Sequence, residues 1–170
     1  ILNRQKQLLD QLKKSIQDIQ YNTLKTDDRK ALCLCLISLT YPITYDLLIA
    51  LAQGFKVQSQ INKKFISEKV MSIYGSNRTV DIAIDALLPM IIELNTIKRD
   101  KVSIYSLATM LSISNKFISE LIIFTDIKLS NSKSILLNDL SFKPWYLYFN
   151  ISSIADINFN YLISKKDSAV

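Results

Sequence analysis

The stretch Ser103–Leu121, SIYSLATMLSISNKFISEL, decides how the rest of the chain is read. Ser103 suits the cap of a short helix, and Leu107, Ala108 and Leu111 fall on one face of it. Ser112 suits a tight turn. Ser114 suits the cap of a second helix running to about Phe124, with Ile118 and Leu121 inward. Two helices that cross steeply need a small residue at the crossing and apolar residues in the angle between them. Ala108 meets the first need; Leu107, Leu111, Ile113, Ile118 and Leu121 meet the second.

Working outward, Val80–Asn95 reads as a preceding helix, with Pro89 expected to kink or split it. Lys101–Ser103 reads as a short strand. Ile127–Leu129 and Ile135–Leu137 read as two strands around a polar Ser130–Ser134 loop. The run SLATMLSISNKFISELI carries Leu-Ala, a Leu three further on, Ile-Ser and a later Ile-Ser. In this it resembles the common bacterial helix-turn-helix pattern, with Ser112 where that pattern usually has Gly. With its flanks, about residues 80–140 resemble a winged helix.

That resemblance implies a second helix lying in the major groove of double-stranded DNA. Ser114, Asn115, Lys116 and Ser119 would then face base edges. Lys128 and Lys133, on strand and wing, would contact phosphates. Charge near the motif is thin: residues 105–145 hold four cations against three anions, and Glu120 shares the second helix. Residues 56–78 hold five cations against Glu68, so Lys63 and Lys64 are expected to supplement the backbone attraction that dominates affinity.

Four segments follow. Residues 1–25 form an amphipathic helix with Leu2, Leu9 and Ile16 seven apart and Leu12 and Ile19 interleaved, which suits a homodimer through 1–23 or packing on its own domain. Residues 26–78 form a helical subdomain. There Asp27 and Asp28 favour the start of a helix whose ALCLCLISL run is apolar on nearly all sides, and Tyr41-Pro42 ends it. A helix from Thr44 is closed by Gly54, and another spans about Ser59–Tyr74. Residues 51–70 and the motif both contain Leu-Ala and an N-K-(K)-F-I-S-E run, which reads as a degenerate second helix-turn-helix or as coincidence in a Lys-, Ile- and Ser-rich chain. The winged helix occupies 79–142. Residues 143–170 are rich in aromatics at their start, expected to close one end of the core, with 151–163 helical and 164–170 frayed.

Composition narrows the chemistry. There is no histidine, hence neither the commonest general base nor the commonest metal ligand. Cys33 and Cys35 cannot easily clamp one metal from a helix and read as reduced core residues of a cytoplasmic protein. The two glycines make no phosphate loop. No catalytic residue, cofactor or metal site is expected, and the protein is not read as an enzyme. No apolar run reaches the ~18 residues of a membrane span, and Arg4, Lys6 and Asp10 interrupt any leader-like start. The expected fold class is mainly α: a helical bundle with a C-terminal winged helix-turn-helix and a short β-hairpin wing. The expected function is DNA binding, in transcriptional regulation or in plasmid or phage replication or partition. The alternative is an adaptor whose winged helix contacts a protein.

Overall fold

The structure, a computed structural model, describes residues 21–151 together with Asp10, Lys13, Leu162 and Ile163. The readings of 1–25 as an amphipathic helix dimerising through 1–23, of 151–163 as helical and of 164–170 as frayed fall mostly outside the described residues; within them, Tyr21–Thr23 is a 3-10 helix. Within them the protein is mainly helical with two small sheets.

Helix α1 (Thr26–Thr40) buries Ala31, Leu32, Leu34 and Cys35, as its all-round apolar sequence requires. Tyr41 leaves the helical region ahead of Pro42, which occupies the first turn of α2 (Pro42–Phe55), and the chain bends through 116° between the two helices. Gly54 lies inside α2 and does not end it. A Cβ there would sit 2.5 Å from Ile61 Cδ1, so a larger residue would push the Ile61 side chain aside.

Strand β1 (Gln60–Asn62) leads into α3 (Lys63–Tyr74), opened by Asn62 Oδ1 accepting from Lys64 N at 2.9 Å. Gly75, at φ 86°, ends α3. Asn77 Oδ1 then accepts from Val80 N at 3.1 Å and opens α4 (Arg78–Glu93). Of the kink or split expected at Pro89, the split does not occur: α4 runs unbroken to Glu93 with Pro89 inside it. Asn95, at φ 58°, reverses the chain into β2 (Ile97–Lys101), and β3 (Ile104–Leu107) returns through the Val102–Ser103 turn. The sheet is antiparallel in the order β1-β3-β2, with Tyr105 between Ile61 and Arg99. Lys63 N donates to Ser103 O at 2.8 Å, seating α3 beside this hairpin.

The helix expected over 103–111 is therefore replaced by β3, an irregular Ala108–Met110 and β4 (Leu111–Ile113). The same apolar residues fit both periods. Tyr105 and Leu107, then Leu111 and Ile113, alternate as a half-buried strand does, and pairing with β1 and β2 settles the choice. The hairpin expected at 127–137 is also absent. Residues 116–129 are one helix, α5 (Lys116–Leu129), and two 3-10 helices follow at Leu137–Phe142 and Pro144–Tyr148.

Strand β4 pairs in parallel with β5 (Phe149–Ile151). Helix α5 is opened by Asn115, whose Oδ1 accepts from Phe117 N and Ile118 N, and it is buried continuously from Phe117 to Asp126. The N-K-(K)-F-I-S-E runs thus share a local structure: a three-residue strand, an asparagine cap and a helix. Of the aromatic cluster, Trp145, Tyr146, Tyr148 and Phe149 are buried, and Phe142 is exposed. Trp145 Nε1 donates to Ile122 O at 3.0 Å and Tyr148 Oη to Leu48 O at 2.6 Å, fixing this segment across α5 and α2.

Candidate functional site

The residues expected to read DNA are divided between two parts of the molecule. Lys63 and Lys64 open α3 beside the β2–β3 hairpin, where Lys63 pairs with Asp85 of α4 and Lys64 lies 4.0 Å from Glu68. Lys116 and Lys128 lie at opposite ends of α5, about 18 Å apart along its axis. Lys128 Nζ lies 5.3 Å from the centre of the Phe124 ring, and Lys133 is exposed on the following loop. Ser114 and Asn115 are committed to structure. Ser114 N and Oγ donate to Asp28 at 3.0 and 2.8 Å, Asn115 N donates to the same carboxylate at 3.2 Å, and Asn115 Oδ1 caps α5. Ser119 is buried, its Oγ donating to Asn115 O at 3.2 Å. Helix α5 is a core element, and its middle offers no outward face.

Four carboxylates hold this core together, three of them, Asp28, Glu120 and Asp126, buried and Asp27 half-buried. Asp27 and Asp28 lie in the first turn of α1, as the helix dipole favours, but their oxygens do not cap that helix. Asp27 accepts from Ser112 N at 3.0 Å and Asp28 from Ser114 and Asn115, so both clamp the start of α1 to the β4–α5 connection. Glu120, whose charge counted against DNA binding by the second helix, is buried and accepts from Leu162 N and Ile163 N. Asp126 accepts from Tyr45 Oη at 2.6 Å and Tyr146 Oη at 3.3 Å and pairs with Lys143. Burial, then the Asp126 carboxylate, pushes both phenols well above their ordinary value. Burial also pushes the Cys35 thiol up to about 12, consistent with an inert core cysteine.

A different surface turns apolar groups to solvent. The second helix of the α3–turn–α4 unit turns an apolar stripe to solvent: Ile82 is 59% exposed and Met90 42%, with Ala86 and Pro89 between them. Arg78 and Glu93 stand exposed at its two ends, and Asp81 and Asp85 add negative charge along one side. Beside the stripe lies an apolar groove of about 240 Å³, walled by Ile37, Tyr41, Ile43, Ala83, Ala86 and Met90. The adjoining hairpin is the cationic counterpart. Lys98, Arg99 and Lys101 are exposed there, while Asp100 accepts from Gln60 Nε2 and Ser106 Oγ.

Sequence reasoning missed both surfaces. IAIDALLPMII is apolar at too many helical positions to mark one outward stripe, and IKRDK reads as a loop until its pairing with β3 is known. No protein family, curated protein or solved structure matches this chain.

Proposed function

We propose that residues 42–107 form a winged-helix-type module that contacts protein, making the chain an interaction adaptor. The winged-helix reading draws support from element order. Helix, strand, helix, turn, helix and two strands follow one another through α2, β1, α3, α4, β2 and β3, with strand order β1-β3-β2. On this reading the helix-turn-helix lies in α3–α4, with the hairpin as wing. It does not lie at 103–121.

The observation that carries the protein-contact reading is the outer face of α4. A helix set in the major groove needs cations and amides toward phosphates and base edges. This face offers Ile82, Ala86, Pro89 and Met90, with Asp81 and Glu93 against a single Arg78. Phosphate would be repelled along most of its length, whereas exposed apolar side chains rimmed by polar groups mark protein contacts.

The hairpin favours a second reading. Lys98, Arg99, Lys101 and the nearby Lys64 could hold a phosphate backbone, as in a transcriptional regulator or a replication factor. Anisotropy titration of labelled duplex DNA, at low and at physiological salt, separates the two. The adaptor reading expects no binding at micromolar protein. Salt-sensitive binding lost on combining Lys98→Ala, Arg99→Ala and Lys101→Ala would establish the second reading instead.

A further inference from the structure

We infer that the partner of the α4 face is a second copy of this chain, the two α4 helices packing antiparallel about Ala86. The inference rests on reading α4 as a protein-contact face. Arg78, Ile82, Ala86, Pro89 or Met90, and Glu93 recur every three to four residues and form one stripe along the helix. The stripe is self-complementary. Reversing its direction about Ala86 brings Ile82 of one copy beside Met90 of the other. It also brings Arg78 of each copy beside Glu93 of the other, at both ends. Among the described residues neither Arg78 nor Glu93 takes part in an ion pair, so both charges remain to be matched.

The crossing point suits close approach. Ala86 and Ala83 are small, so helix axes can come to about 8 Å there. The groove beside them is lined by apolar side chains and is about 240 Å³ in volume, room for the flexible Met90 or the Ile82 side chain of the second copy. A symmetric pairing of this kind is isologous and closes as a dimer, leaving no open end to extend into a filament. A helix of 16 residues is about 24 Å long, so the contact is at the small end of specific interfaces. Association in the micromolar range is expected.

Sedimentation equilibrium of the full chain across about 5–500 µM tests this. The expected result is a reversible monomer–dimer equilibrium. Arg78→Glu and Glu93→Arg, each alone, should weaken it by about tenfold or more through like-charge contact at both ends. Arg78→Glu combined with Glu93→Arg should restore it to within about threefold, an outcome that general loss of structure cannot imitate. Ala86→Arg should abolish the dimer while circular dichroism stays unchanged. A monomer across the whole range overturns the inference. So does a dimer indifferent to both single reversals, and one abolished by Leu9→Lys would place the contact in residues 1–23. Loss of the parent reading looks different: duplex DNA would bind in a salt-sensitive manner and Arg78→Glu would weaken that binding.

Discussion

Asp126 carries no exposed surface, yet two phenols and an ammonium converge on it. Each donor comes from a different element, Tyr45 from α2, Lys143 from the linker between the 3-10 helices and Tyr146 from the second of them, so the buried carboxyl group has its partners from three sides. The phenols have a pH consequence. Their protonated forms are favoured in the folded state, while unfolded tyrosines ionise near the usual value of about 10. The stabilisation is complete below that pH and is lost as pH climbs through the raised folded values. Buried Cys35, pushed up to about 12 from an ordinary 9.0, acts with the same sign. The urea midpoint should therefore hold from neutral pH to about 9 and fall beyond it. Tyr45→Phe with Tyr146→Phe should flatten that fall, while lowering neutral-pH stability by about 1 kcal/mol for each hydrogen bond removed. A midpoint that stays level to pH 11 in the parent protein would rule this out.

At the scale of the element, α1 to α4 were legible because a helical repeat of apolar residues runs through each and the Tyr41-Pro42 break falls where expected, although Asp27 and Asp28 do not cap α1 and Gly54 does not end α2. The helix expected from Thr44 to Gln53 runs Pro42–Phe55, and that expected over 80–95 runs 78–93. The strands were not legible. Four of the five residues of β2 are charged, which an edge strand tolerates but a local pattern cannot distinguish from a linker. In β3, Tyr105 and Leu107 satisfy a strand and a helix equally, and the partner that decides, Ile61, lies 44 residues away. Proline separates the two assignments experimentally. At Ile104 it would occupy the first turn of a helix capped by Ser103, where proline is favoured, but β3 is the central strand of its sheet. Ile104→Pro should destabilise the protein by about 3 kcal/mol or more in chemical denaturation. No loss of stability would restore the helix.

For the whole molecule, α5 and α1 form the floor on which α2 and the aromatic segment sit. The buried side chains make one continuous cluster from Leu24 to Phe149. Trp145, the only tryptophan, is fully buried against Ile122 and Tyr45 near its middle. Local environment at Trp145 and global helix content should therefore be lost together. Tryptophan fluorescence and far-ultraviolet circular dichroism should trace coincident urea transitions. Two separated midpoints would mean that residues 42–107 and the rest fold as independent units. None of this long-range closure was written in local pattern. Asp28 meets Ser114 across 86 positions, and only the assembled core brings them within reach. The α4 surface was hidden for the same reason, since an exposed isoleucine is recognised only once the buried ones have been placed.

The uninterrupted burial of α5 also bears on how the chain is made. The sheet of β1, β2 and β3 has all its strands once Leu107 has been synthesised. Residues 117–126, which the finished fold buries on every side, follow while Trp145, Tyr148 and Phe149 are still to be added. For that interval of translation the nascent chain exposes a segment, apolar and charged side chains together, that the finished fold buries on every side. Such a segment is exposed to misassociation until its cover is made, so a pause between the synthesis of residues 130 and 145 would be the costliest.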